Sequence, residues 1–140
     1  MLDVNILLIE DNEADVLMTK LMLQQAGLEN GISVARDGVE AIEFLSKQNE
    51  FSNAITPDLV ILDINLPKKN GKEVLDFIKI KMQHSSIPVI MYTSSSLESD
   101  QQFCREHQVD LYIIKPTLIE DFDKVINIFK EFISTVANKN

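Results

Sequence analysis

The chain has 140 residues, 45% hydrophobic and 25% charged, which suits one globular domain with one real core. Its net charge of −9 and pI of about 4.6 argue against a nucleic-acid-binding surface, which needs clustered Lys and Arg. The lone Cys104 excludes an intramolecular disulfide; the N-terminus has no basic leader and no apolar run could span a membrane, so a cytoplasmic location is expected.

Ile6-Leu7-Leu8-Ile9 is a short apolar run that stops at Glu10-Asp11-Asn12. It reads as a buried strand that delivers acids to its C-terminal end. Ala14 to Ala26 is rich in Leu and Met, free of Pro, and predicts a helix, with Asn12 or a neighbour as its cap and Gly27 where a C-cap would stand. Ser33-Val34-Ala35-Arg36 is less apolar and suits a strand near a sheet edge. Asp37-Gly38 could turn a hairpin, but Val39, Ala41, Ile42 and Leu45 carry helical spacing, so a strand-to-helix turn is expected. Lys47 to Pro57 is polar and reads as a loop.

The most informative stretch follows. Leu59-Val60-Ile61-Leu62 has no polar alternation, the pattern of a central parallel strand covered on both faces. Asp63 comes next, and Pro67 with Lys68-Lys69-Asn70-Gly71 ends the strand in a turn. A carboxylate thus stands at the C-terminal end of a buried strand, where ligands collect in open α/β sheets. Lys72 to Gln83 is predicted helical, with Val74, Leu75, Ile78 and Met82 as its stripe. Ile87 to Tyr92 is a fourth strand, ending at Thr93-Ser94-Ser95-Ser96. Glu98 to His107 is a short polar helix anchored by Leu97, Phe103 and Cys104. Asp110 to Ile114 is a fifth strand ending at Lys115-Pro116, and Leu118 to about Val136 is the last helix.

Five β-α alternations with right-handed crossovers imply an α/β fold, a doubly wound five-stranded parallel (βα)5 sheet in order 2-1-3-4-5. No linker or repeat divides residues 1–140, so one domain without an output domain is expected. This order leaves a crevice between strands one and three, which places Glu10, Asp11 and Asp63 together. Converging carboxylates resist joint ionisation unless a cation sits among them, and a hard ion such as Mg2+ suits oxygen ligands. No convergent His or Cys points to zinc or copper. Thr93 and Lys115 end the adjacent strands. A carboxylate, a metal, a hydroxyl and an ammonium around one cavity suit a phosphoryl group, with Asp63 placed to attack in line. Each residue also has a plainer reading: Glu10-Asp11 as helix-dipole partners, Asp63 as a turn former, Thr93 as loop, Lys115 as surface. Their joint placement at strand ends favours the chemical one.

As a set, Glu10-Asp11, Asp63, Thr93 thirty positions later and Lys115-Pro116 resemble the CheY-like receiver domain of bacterial response regulators, over nearly the whole chain. Asp37-Gly38-Val39-Glu40-Ala41 and Leu66-Pro67 through Gly71 are similar to family features as well. The resemblance implies a flavodoxin-like fold and an aspartyl phosphate formed on Asp63 from a histidine kinase or phosphotransfer protein. It implies Mg2+ bound by Asp11 and Asp63, with Glu10 binding directly or through water and the backbone carbonyl of Asn65 as a further ligand. Thr93 and Lys115 would read the phosphoryl group. Tyr112 would be the aromatic switch, turning inward once Thr93 is drawn to the phosphoryl oxygens, and the peptide before Pro116 would be cis. Such a protein is a phosphoacceptor that catalyses only its own phosphorylation and dephosphorylation, and it would signal by phosphorylation-dependent contact with a downstream protein. The polar Lys47 to Pro57 loop and short length resemble the small regulators paired with phytochrome-like histidine kinases.

On the last helix, Leu118, Phe122, Val125, Phe129, Phe132 and Val136 form one stripe, and Ile119, Ile126 and Ile133 a second. Two readings stand equal: a homodimer through the face of helix four, strand five and helix five, or broader cover of the sheet. His84 and His107 read as surface residues, Cys104 as an inert thiol and the Met residues as core filler. Among other readings, an aspartyl phosphohydrolase would need an acid two residues after its nucleophile, where Asn65 stands. A module that is never phosphorylated would not need the acid, threonine and lysine set. A nucleotide binder would need a glycine-rich loop after the first strand, which is absent.

Overall fold

A computed structural model describes residues 3–28, 31–82 and 86–139. The elements run β1 (Ile6–Ile9), α1 (Glu13–Gln25), β2 (Ile32–Ala35), α2 (Gly38–Ser46), β3 (Leu59–Leu62), α3 (Gly71–Asp76), β4 (Val89–Thr93), α4 (Glu98–Glu106), β5 (Leu111–Ile114) and α5 (Ile119–Lys139). The strands pair in parallel in the order β2-β1-β3-β4-β5, as the alternation predicts. Every residue of β1, β3 and β4 is buried, because helices cover both faces of a parallel sheet.

Successive side chains of a strand point to opposite faces, which divides the core in two. Leu8, Ile61 and Ile90 pack with α1 and α5, while Leu7, Val60 and Met91 pack with Leu75 of α3 and Cys104 of α4. Burial pushes the Cys104 thiol up to about 11, in keeping with an inert thiol. Phe129 of α5 is fully buried and meets the Tyr92 ring edge-on at 5.4 Å between centroids.

The helix starts follow local chemistry. Asn12, Asp37 and Asn70 each accept a backbone N–H three residues on, from Asp15, Glu40 and Glu73, at 2.9, 2.7 and 3.0 Å. Gly27 closes α1 with a φ of 104°, open to glycine alone at little cost. The expected helix over Lys72 to Gln83 is interrupted. After α3 the chain widens into a π-turn, Phe77–Lys81, closed by a bond from the Met82 N–H to the Phe77 carbonyl at 2.7 Å. The wider turn leaves Lys79 paired with Asp110 at 3.0 Å, beside β5. Gln83 and His84 lie outside the described residues. Within the polar loop before β3, Asn49–Phe51 forms a 3-10 turn that sets Phe51 against Phe44.

On α5 the two apolar stripes share one task. Val125, Phe129, Ile133 and Val136 are buried, and Phe122, Ile126 and Phe132 pack half-buried against them. Apolar surface remains at Leu118 and Ile119, which are 56% and 86% exposed. Among the described residues no helix is long and apolar enough to cross a membrane.

Phe129→Ala is expected to destabilise the fold by about 3–5 kcal/mol, the range for emptying a large aromatic site. Urea unfolding of the two proteins measures it; a loss below about 1 kcal/mol would mean that the α1–α5 side of the core does not depend on this contact.

Candidate functional site

Strand register builds the site. Ile9 of β1 stands level with Leu62 of β3, so the next residues, Glu10 and Asp63, sit side by side at one end of the sheet. Backbone bonds hold them there: the Glu10 N–H donates to the Ala35 carbonyl and the Asp63 N–H to the Ile9 carbonyl, at 3.0 and 3.1 Å. Thr93 ends β4 level with Ile114, and the Lys115 N–H donates to the Thr93 carbonyl at 2.8 Å. All five expected chemical residues, Glu10, Asp11, Asp63, Thr93 and Lys115, therefore stand at the C-terminal edge.

Two glycines fix the loop between Asp63 and α3 by close approach. A Cβ on Gly71 would lie 2.1 Å from the Asp63 carbonyl oxygen, and one on Gly38 would lie 1.8 Å from the carbonyl oxygen of Lys69. Only glycine lets the starts of α2 and α3 press on this loop. That is the physical content of the Asp37-Gly38 and Pro67-to-Gly71 features noted in the sequence.

Glu10 and Asp63 are buried and Asp11 is exposed, and one oxygen from each lies within 4.8 Å of the others. Three hard oxygen donors at this spacing fit a hard divalent cation by their chemistry. Asn65, exposed beside them, donates its N–H to Asp63 Oδ1 at 3.3 Å. Lys115 Nζ reaches into the same group, at 2.6 Å from Glu10 Oε1, 3.0 Å from Asp63 Oδ2 and 3.0 Å from Asp15 Oδ2. Burial raises the Glu10 carboxyl above its ordinary pKa; the Lys115 bond pulls it down and the charge of Asp63 adds to the rise. Burial also works against the Lys115 ammonium, but its bonds to Glu10, Asp63 and Asp15 win and raise its pKa.

The peptide before Pro116 is trans, like every described peptide bond, and not the cis bond that the resemblance implies. Trans is favoured by about 0.5–1 kcal/mol for an ordinary X–Pro bond. Here the aim of Lys115 is already set by its N–H bond to Thr93 and by three carboxylates.

Thr93 is fully buried, and its Oγ1 accepts the Ser95 N–H at 3.3 Å. The half-buried Tyr112 donates its hydroxyl to the Ser95 carbonyl at 2.8 Å. Ser95 Oγ donates to Asp100 Oδ2 at 2.5 Å, and Asp100 Oδ1 pairs with Lys72 of α3 at 2.7 Å. Asp100, at 8% exposure, thus joins the buried Cys104 in seating α4, whereas the Leu97 side chain, expected as an anchor, is 63% exposed. Sequence reasoning missed Asp15, Lys72 and Asp100. Each is a charge on a helix whose partner is set by folding, and no spacing rule announces it. His107 also has partners beyond expectation: Nδ1 donates to the Phe103 carbonyl at 3.0 Å, Nε2 lies 3.4 Å from Asp76, and the ring stacks on Phe103.

Residues 6–127 match the profile of the family described as response regulator receiver domain. The chain belongs to that family. Response regulator Rcp1 of Synechocystis sp. is 36% identical over 127 residues, covering 91% of this chain and 86% of Rcp1. The crystal structure of the Mn2+-bound form of Rcp1 superposes with a TM-score of 0.85 at 35% identity, over 93% of this chain and 94% of that one. The phosphorylated cyanobacterial phytochrome response regulator RcpA superposes with a TM-score of 0.86 at 34% identity, over 96% of both chains. This receiver accordingly has the doubly wound fold expected of it, and its acidic trio has the donor set that suits a divalent cation.

Its Asp100 carboxyl is held below the usual aspartate pKa, first by the Lys72 bond and then by the Ser95 bond. A folded pKa below the unfolded value stabilises the fold above that unfolded value, about 3.9, and the gain is lost as pH falls through the folded pKa. The stability difference between wild type and Asp100→Asn is therefore expected to be steady at neutral pH and to shrink below about pH 4. Denaturant unfolding from pH 7 to pH 3 measures it, and a difference that ignores pH would remove Asp100 as the ionic seat of α4.

Proposed function

We propose that this receiver takes a phosphoryl group on Asp63, from a sensor histidine kinase of the phytochrome-like kind or from a phosphotransfer protein, and passes the signal on in the cytoplasm by protein contact. The observation that carries the reading is the convergence on Asp63 of the Lys115 ammonium and a second buried acid, with Thr93 ending the next strand. An Asp63 carboxylate oxygen attacks phosphorus, the phosphorus–nitrogen bond of a phosphohistidine breaks, and its electron pair leaves on the imidazole nitrogen. Glu10, Asp11 and Asp63, with the backbone carbonyl of Asn65, would hold Mg2+. When bound, that ion supplies positive charge that neutralises the phosphoryl oxygens. Lys115 supplies a second positive group, already beside Asp63 at 3.0 Å.

Thr93 is the hydroxyl available to a phosphoryl oxygen. Drawing it inward would break its contact with Ser95, whose carbonyl holds Tyr112. Thr93 and Tyr112 then move together, and the surface of α4, β5 and α5 changes. Leu97, Ile114, Leu118 and Ile119 leave apolar surface there, suited to a downstream protein or a second copy of the chain. Turnover of a separate phosphate ester lacks support, since Asn65 gives no acid two residues after Asp63.

Intact-protein mass after incubation with acetyl phosphate tests the acceptor. A gain of one phosphoryl group is expected with Mg2+, and none without it or in Asp63→Asn. No gain, together with no binding of fluoroberyllate in the presence of Mg2+, would sink the reading. Tyr112→Ala is expected to keep phosphoryl uptake and lose the phosphorylation dependence of partner binding; unchanged dependence would remove Tyr112 from the switch.

A further inference from the structure

The ammonium of Lys115 has three hydrogens to donate, and three carboxylates take them. Two of these, Glu10 and Asp63, belong to the trio suited to a divalent cation; the third, Asp15, does not. Lys115 therefore competes with any cation for the same two carboxylates. A cation that takes Glu10 Oε1 and Asp63 Oδ2 strips two bonds from an ammonium whose side chain is only 10% exposed. Left alone, that charge would be poorly solvated and poorly paired.

Asp15 is built to meet this need. It sits in the first turn of α1, where Asn12 Oδ1 accepts its N–H at 2.9 Å and its carbonyl accepts the Thr19 hydroxyl at 2.7 Å. Thr19 is buried, so the Asp15 backbone is pinned at both ends. Its carboxylate is 45% exposed and lies outside the trio, so a cation held there does not use it. We infer that Asp15 is a positioning residue: it holds the Lys115 ammonium when a divalent cation takes Glu10 and Asp63, and thereby sets the cation affinity of the site. Lys115 is kept charged, bonded and near Asp63, ready for an incoming phosphoryl group. This inference rests on the cation-binding reading given above.

Mn2+ titration of the full chain, followed by the electron paramagnetic resonance of the free ion, tests both ideas apart. Four proteins are compared: wild type, Asp15→Asn, Lys115→Met and the double variant. Asp15→Asn is expected to weaken Mn2+ binding about five- to tenfold, since the charge-assisted bond that receives Lys115 is gone. Lys115→Met removes the competitor and tightens binding. In that background Asp15→Asn changes affinity less than about twofold, because Asp15 acts through Lys115. An equal loss in both backgrounds would mean that Asp15 merely attracts the ion by its charge, and would overturn the inference. So would no loss in either. Wild type that binds no Mn2+ would overturn the cation reading itself, and the inference with it.

Discussion

Three carboxylates meet one ammonium at the end of a parallel sheet, with a fourth, Asp11, beside them, and the site depends on that balance. Two unit charges 4 Å apart interact by about 4 kcal/mol at an effective dielectric of about 20. That is a sizeable part of the roughly 5–15 kcal/mol that holds a typical domain together. Glu10 and Asp63 cannot escape the repulsion by turning outward, since both are buried and follow fully buried strands. Lys115 relieves it from within. The same excess of negative charge over positive suits the place to a cation. Strain between like charges and capacity to bind are here one property.

Membership of the receiver family gives this balance a purpose. In the proposed reaction a phosphoryl group would bring negative charge into a site already rich in it, so every positive group nearby matters. The lysine is spoken for by three acids before any ligand arrives. In the proposed reaction its release is part of the chemistry, and the acids that hold it then belong to the site as much as those that would face a ligand.

Most of the fold was legible in the chain. Buried parallel strands are unbroken apolar runs, and β1, β3 and β4 read directly as such. The residues that follow them, Glu10, Asp63 and Thr93, were legible for the same reason, because strand order alone puts them together. Contacts that cross the chain were not legible. Asp15 is 100 positions from Lys115, and its spacing on α1 is that of any exposed acid. Asp100 is one acid among several in a polar helix, yet it ties that helix to Lys72 and Ser95. The π-turn after α3 follows from no periodicity, and the trans bond before Pro116 contradicts a family habit that geometry does not require here. On α5 the sequence left two readings open, and packing assigns nearly all of both stripes to the sheet.

The two loops that flank Asp63 and Thr93 are held by different means. The loop after β3 is gripped by backbone pressing on backbone at Gly38 and Gly71, contacts that no change of rotamer can undo. The loop after β4 is held by exchangeable side-chain bonds among Thr93, Ser95, Asp100, Lys72 and Tyr112. The cavity therefore has a fixed wall and a yielding wall. A group entering it meets one wall held by backbone contact and one held by exchangeable bonds, so displacement is directed toward α4 and β5 while Asp63 keeps its place.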